Sequence, residues 1–276
     1  MKKTIVITGS SGLIGRYLCS ALTLANYTVR RFDLKGSGAE QGDIRKTEHV
    51  HAAVEGCIGV VHLAAVSRVV WGQKDPNLCW ETNVGGIHHL LEAASVQEKQ
   101  PWVLFASSRE VYGQPTILPA DETTPLNPVN VYARSKAEGE RLIFRARDHG
   151  LQTAVIRLSN VFGCTQDHMD RVVPAFARAA AVGKALRVEG NDHTFDFTHV
   201  DDVVHGIGLM INALQKKQRS LPPIHFVTGR PTSLRQLAEM ATNFSESDAK
   251  IIESPPRSFD VAHFYGDPSR AHDLLG

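Results

Sequence analysis

Five short runs rich in β-branched and apolar residues set the pattern of the chain: TIVIT (4–8), TVRRFD (28–33), GVVHLA (59–64), WVLFAS (102–107) and TAVIRL (153–158). Helical patterns around 13–26, 46–55, 76–97 and 129–149 alternate with them. Strands that are apolar nearly throughout belong to a sheet covered on both faces, and strands separated by helices run parallel. The chain is therefore expected to fold as a doubly wound α/β domain.

Beyond residue 160 the rhythm changes. HMDRVVPAFARAAAVGKALRVEG reads as a helix ending near Gly183 followed by a short strand, and VDDVVHGIGLMINAL as another helix. RSLPPIHFVTG is a proline-rich linker into a strand, with a further helix at 233–244 and an irregular ESPPRSFDVAHFYGD. This part is expected to form a small C-terminal α/β lobe over the strand ends, where ligands of such sheets bind.

The first strand runs into ITGSSGLIG, which puts Gly9, Gly12 and Gly15 between a strand and a helix. Without Cβ atoms the turn can be tight, and backbone N–H groups at the helix start, including those of Leu13 and Ile14, can approach a pyrophosphate. Asp33 ends the second strand, where a carboxylate accepts hydrogen bonds from ribose hydroxyls and repels a 2′-phosphate. NAD is expected over NADP, although Arg30 and Arg31 precede that aspartate and keep NADP open. GDIR and HLAA follow at strand ends, so Asp43, Ile44, Leu63, Ala64 and Ala65 are further candidates for the adenine side; their alternative role is loop capping and core packing. The expected division is a dinucleotide-binding domain of residues 1–162 plus 194–228 and a substrate-binding lobe of 163–193 plus 229–276.

Composition excludes several classes. Of the 276 residues 42% are hydrophobic and 21% charged, and a formal net charge of +1 gives no global attraction to nucleic acid or a membrane surface. The start MKKTIVITGSSGLIG is broken by Gly and Ser too early for a secretion signal, and no stretch approaches a membrane span. Four scattered cysteines without a CxxC, and thirteen histidines without an HExxH, predict no metal site. Free thiols point to a reducing, cytoplasmic setting.

VYARSK places Tyr132 and Lys136 four residues apart on one helix face, where an ammonium lowers the pKa of a phenol. The blocks TGSSGLIG, GDI, HLAA, TNVGG, SSREVYG, VYARSK, RLSNVFG, FDFTHVDDVV and RSFDVAHFYGD, in this order, resemble the short-chain dehydrogenase/reductase superfamily. More narrowly, the chain resembles the extended branch, the NAD-dependent epimerase/dehydratase family acting on nucleotide sugars. That resemblance implies a Rossmann-type fold with NAD as cofactor and a nucleotide sugar as substrate.

Carried over by this resemblance, Tyr132 is the general base, Lys136 holds the nicotinamide ribose, and Ser108 hydrogen-bonds the reacting oxygen. Asn83 is a structural asparagine, Asn160 contacts substrate, and Arg257 faces the nucleotide diphosphate. A homodimer through the helices at 76–97 and 129–149 is also implied.

Two positions depart from the family pattern. Relatives that dehydrate or decarboxylate carry TDE or TSE after the serine position; here Glu110 matches their base, but Arg109 replaces the acid and cannot give up its proton. Glu110 either acts as that base or pairs with Arg109, and Arg109 is a candidate contact for a substrate carboxylate. Phe195 stands where the family usually has an arginine. The resemblance implies an NAD-dependent sugar 4-epimerase that keeps its NAD bound; the alternatives are a dehydrogenase/reductase or dehydratase/decarboxylase of a sugar, and, from another class, a non-catalytic nucleotide-sensing protein.

Overall fold

The computed structural model describes residues 3–216, 221–246, 248–257 and 261–276. Strand β1 (Thr4–Thr8) leads through helix α1 (Leu13–Leu24) to β2 (Thr28–Phe32), and α2 (Thr47–Val54) leads to β3 (Gly59–His62). Helices α3 (Val69–Lys74), α4 (Pro76–Trp80) and α5 (Gly86–Ser95) precede β4 (Trp102–Ser108), and α6 (Val131–Asp148) precedes β5 (Thr153–Leu158). There follow β6 (Asn160–Phe162), α7 (Val172–Ala181), β7 (Leu186–Glu189), β8 (Thr194–His199), α8 (Val200–Gln215) and β9 (Ile224–Phe226). The chain closes with β10 (Pro231–Ser233), α9 (Leu234–Phe244), β11 (Ile251–Ser254) and α10 (Ser269–Leu275).

Six strands form one sheet in the order β2-β1-β3-β4-β5-β9, parallel at every pairing. Alternate side chains of β1 serve opposite faces, as the two-residue strand period requires. Ile5 and Ile7 pack with Leu18 and Leu22 of α1 and Val203, Ile207 and Met210 of α8. Val6 packs on the other side with Val50 and Val54 of α2, Ile87 and Leu90 of α5 and Ile143 of α6. This is the doubly wound Rossmann-type sheet expected from the alternation of strands and helices. The strand order switches direction between β1 and β3, so a crevice opens at their carboxyl ends.

A separate apolar cluster joins Phe176 and Ala180 of α7, Leu186 and Val188 of β7, Phe195 of β8, and Leu234 and Ala238 of α9. Strand β7 pairs in parallel with β11, and β8 sits between β6 and β10. Strands β6, β8 and β10 do not stand out in the sequence because the polar Ser159 and Asp196 interrupt or join the runs. Ser159 Oγ donates to the Asp196 carbonyl at 2.7 Å, and the buried Asp196 carboxylate accepts from Thr228 N, Thr228 Oγ1 and Gly229 N at 2.8–2.9 Å. One aspartate thus fastens the exit of β9 to β8.

The helical pattern at 76–97 is interrupted rather than one uniform α-helix. A π-helical turn at Glu81–Gly85 joins α4 to α5 and contains Asn83. The Asn83 amide accepts from Val66 N at 2.8 Å and donates to Ser135 Oγ at 2.8 Å, tying the segment after β3 to α6. Helix α3 lies outside the helical patterns of the sequence; it is only six residues long and has no side-chain cap. Among the described residues no helix is long and apolar enough to cross a membrane. Three of the cysteines are buried and all four are free.

Candidate active site

The turn after β1 lets backbone segments approach one another closely. Gly9 has φ +71°, and a Cβ there would sit 2.8 Å from Ala64 N. A Cβ on Gly15 would lie 2.2 Å from the Gly9 carbonyl oxygen, so only glycine lets α1 rest on this turn. Helix α1 begins at Gly12 with no side-chain cap, which leaves the first-turn N–H groups of Leu13 and Ile14 for an anionic ligand.

Across the crevice, Thr8 Oγ1 accepts from Leu63 N and Ala64 N at 3.2 and 3.1 Å, holding the HLAA segment against the glycine turn. Asp33 accepts from Ser11 N at 2.9 Å and Lys35 N at 2.8 Å, so its carboxylate stands beside the glycine turn. Arg30 points elsewhere: its Nη1 donates to the carbonyls of Ala53 and Glu55 at 2.6 and 2.7 Å at the end of α2. Arg31 lies 3.7 Å from Glu40. Arg31 Nη2 also donates to the Ser10 carbonyl at 3.5 Å, beside the glycine turn. Asp43 chelates Arg45, which holds its carboxyl below the ordinary range, and Ile44 is core packing against Gly86.

From this crevice a cavity of about 540 Å³ extends under the smaller apolar cluster. Its lining includes Ile14, Leu63 and Ala65, then Ser108, Arg109, Glu110, Tyr132 and Lys136, and also Asn160, Phe195 and Arg257. Gly9, Gly12, Leu13, Gly15, Asp33, Asp43, Ile44 and Ala64 do not line it.

Local structure fixes the middle group. Strand β4 ends at Ser108, whose Oγ accepts from Glu110 N at 3.2 Å and starts a 3-10 turn over Arg109–Tyr112. Asn130 caps α6 by accepting from Ala133 N at 2.8 Å, which sets Tyr132 in the first helical turn. Lys136, one turn further on, donates from Nζ to the Ala106 carbonyl at 2.8 Å and lies over the Phe105 ring.

Burial decides the electrostatics here. It pushes the Tyr132 phenol up to about 12, and the Glu110 charge acts the same way; a hydrogen bond with Ser108 and the Arg171 charge oppose it. Burial also lowers Lys136 to about 8. The spacing of Tyr132 and Lys136 predicts a lowered phenol, but in the folded protein desolvation raises it, and the opposing influences come from Ser108 and Arg171.

Arg109 and Glu110 form a buried ion pair at 2.8 Å. The second Glu110 oxygen accepts from Asn130 Nδ2 at 3.0 Å. The Arg109 guanidinium lies over the Phe195 ring at 4.6 Å from its centroid and 5.6 Å from that of Phe264. Phe195 thus supplies an aromatic platform for a cation that comes from the turn after β4. Arg257 stands 3.3 Å from Glu189. Tyr112 is not in the cavity; its hydroxyl accepts from Arg157 at 2.6 Å in a buried network with Glu140 and His225. Sequence reasoning did not single out Arg171 or Arg187, which also line the cavity and lie outside any local motif.

A profile of the NAD dependent epimerase/dehydratase family matches residues 5–229. The UDP-glucose 4-epimerase of Mycolicibacterium smegmatis is 30% identical, over 98% of this chain and 92% of its own length. The crystal structure of the Brucella ovis UDP-glucose 4-epimerase with NAD superposes with a TM-score of 0.89 at 26% identity, covering 99% of this chain and 92% of that one. The NAD-dependent NDP-hexosamine 5,6-dehydratase TunA gives a TM-score of 0.89 at 27% identity, with coverages of 100% and 91%.

The fold and these likenesses define an NAD-dependent Rossmann-type enzyme. The chain belongs to the NAD dependent epimerase/dehydratase family.

Proposed function

We propose that the protein is a nucleotide-sugar 4-epimerase that retains NAD through its cycle, with Ser108, Tyr132 and Lys136 as the reacting set. The observation that carries this reading is their convergence on one cavity that Ile14, at the start of α1, also lines. Gly9, Gly12, Gly15 and the start of α1 would hold the pyrophosphate, Asp33 the adenosine ribose, and Lys136 the nicotinamide ribose. NAD, when bound, accepts a hydride from the sugar carbon and returns it.

The chain's own residues handle the proton. Tyr132 takes it from the sugar hydroxyl and gives it back, and Ser108 hydrogen-bonds the same oxygen. With burial holding the Tyr132 phenol up at about 12, little phenolate forms at neutral pH; the Ser108 hydrogen bond and the Arg171 charge oppose that rise, and the positive charge of oxidised nicotinamide would favour ionisation further. Arg257 and Asn160 would face the nucleotide side. Residues 1–162 plus 194–228 would serve the dinucleotide, and 163–193 plus 229–276 the substrate.

Glu110 holds the site together in this reading rather than acting as a base. Both of its oxygens already accept hydrogen bonds, one from Arg109 and one from Asn130, which ties the turn after β4 to α6. Epimerisation needs no second base, whereas dehydration does.

We also propose a homodimer through α4, α5 and α6, supported by Leu78 and Trp80, which are exposed on α4. Light scattering that finds only monomer at micromolar concentration would remove that part.

The test of the function is direct. Purified protein is denatured and assayed for released NAD, and the native protein is incubated with UDP-glucose. Stoichiometric NAD together with formation of the C4 epimer is the expected result. Turnover that consumes added NAD and yields a net oxidised sugar would overturn the reading in favour of a dehydrogenase.

A further inference from the structure

Helix α6 buries Tyr132, Lys136, Gly139, Glu140 and Ile143, which helical spacing puts on one face. The sheet opposite is apolar at one end, where Val103 and Phe105 of β4 and Val155 of β5 pack with Ile143. Two residues on from Phe105 and Val155 come Ser107 and Arg157, register partners that continue the same face. Glu140 meets both. Its Oε1 accepts from Ser107 Oγ at 2.5 Å and from Arg157 Nε at 2.9 Å, and its Oε2 accepts from Arg157 Nη2 at 2.7 Å. Arg157 Nη1 donates to the Tyr112 hydroxyl at 2.6 Å and to the Glu122 carbonyl at 3.1 Å.

Stability alone does not explain this buried pair, because apolar residues of similar volume often serve as well or better. Glu140 and Arg157 do not line the cavity, but the groups beside them do: Ser107, which precedes Ser108, and Lys136, one helical turn before Glu140. Lys136 donates to the carbonyl of Ala106, the residue before Ser107. Helix α6 is thus keyed to consecutive residues of β4, by Lys136 at Ala106 and by Glu140 at Ser107. We propose that Glu140 is a positioning residue for Lys136: gripped by Ser107 and Arg157, it fixes the height of α6 on β4 and sets a negative charge one helical turn from the ammonium.

The other groups around Lys136 supply no such charge near neutral pH. His62, at the end of β3, is neutral because burial, reinforced by Lys136, holds it at about 3. Burial raises the Cys79 thiol of α4, which keeps it protonated. Tyr132 is held at about 12, Glu110 is paired with Arg109, and Arg157 of β5 is committed to Glu140. Burial lowers Lys136 to about 8, and the Cys79 and Glu140 charges act against that fall.

The consequence for function rests on the ribose contact proposed for Lys136, but the charge can be read without it. In NAD-free protein carrying isotope-labelled lysine, the Lys136 Cε resonance, assigned with Lys136→Arg, is followed by NMR against pH. Glu140→Gln is expected to lower the midpoint by about one pH unit, a tenfold loss of proton affinity, and Arg157→Met to raise it. Damage to packing alone would not move the two in opposite directions. Should a single variant fail to fold, Glu140→Leu/Arg157→Leu leaves no unpaired charge and should still lower the midpoint.

Glu140→Asp keeps the charge but is one methylene short of Ser107 and Arg157. It should hold the wild-type midpoint and lose copurified NAD several-fold. A midpoint that does not fall in Glu140→Gln or in the double variant overturns the proposal, and so does full NAD retention in Glu140→Asp where Lys136→Met loses it. If Lys136→Met itself retains NAD in full, it is the ribose contact that fails, and the midpoint alone decides the role of Glu140.

Discussion

Asn130 donates from its amide nitrogen to Glu110 at 3.0 Å while its amide oxygen caps helix α6 at Ala133 N, 2.8 Å away. One fully buried side chain therefore joins the turn after β4 to the helix that carries Tyr132 and Lys136. The relative placement of Ser108 and Tyr132 depends on this joint.

Replacing Asn130 by Ala removes a helix cap and a charge-assisted hydrogen bond together. The expected cost is about 2–4 kcal/mol of unfolding free energy, measured by urea titration. Asn130→Asp keeps the cap but sets a second carboxylate against Glu110, so it should recover little of the loss. If either variant matches wild type in both stability and turnover, the joint is not what positions the site.

Removing the phenol hydroxyl should separate chemistry from binding. Tyr132→Phe is expected to lower kcat by about 10²- to 10⁴-fold while NAD remains bound after purification. Lys136→Met should lower kcat too, and should also reduce the amount of NAD retained. Equal NAD retention in the two variants would argue against a ribose contact for Lys136.

The glycine turn gives a steric prediction. Gly15→Ala places a methyl group where the Gly9 carbonyl oxygen already lies, 2.2 Å from the ideal Cβ, and nothing flexible there can yield. Copurified NAD should be largely lost, with destabilisation of about 1–3 kcal/mol. Asp33→Ser, by contrast, should leave the turn formed and shift preference toward NADP, read as the ratio of dissociation constants for the two dinucleotides. No shift in that ratio would remove Asp33 from the ribose site.

Buried His62 makes the protein sensitive to acid. Its ring hydrogen-bonds Thr8 at 2.8 Å, and burial, reinforced by the Lys136 charge, lowers its pKa from 6.5 to about 3. Between those values the unfolded chain binds a proton that the folded chain does not. Stability is therefore lost as pH falls from about 6.5 toward 3, at about 1.4 kcal/mol per pH unit for this group. Unfolding free energies at pH 4 to 7 should show a shallower slope for His62→Asn than for wild type; identical slopes would count against it.

The double-sided sheet and its ligand-binding crevice were legible in the sequence because both rest on local, repeating signals. Strands buried on both faces must be apolar throughout, and a turn that approaches a ligand closely must lack Cβ atoms. The close backbone approach at Gly9 and Gly15 could be read for that reason. So could the pairing of Tyr132 with Lys136, which helical spacing alone sets. The direction of the Tyr132 pKa shift could not be read in this way, since desolvation depends on every element packed around the phenol.

Arg109 and Glu110 show the same limit. As neighbours in a motif they were open to acid–base, pairing or substrate roles. Only the folded chain brings Asn130 to Glu110 and sets the rings of Phe195 and Phe264 against Arg109, from positions 86 and 155 residues further along. Sequence by itself determined where the sheet, the crevice and the Tyr132–Lys136 face lie, because short-range periodicity and sterics encode them. Which oxygens of Glu110 are occupied, and which rings flank Arg109, was decided by tertiary packing, because contacts between distant segments leave no local pattern.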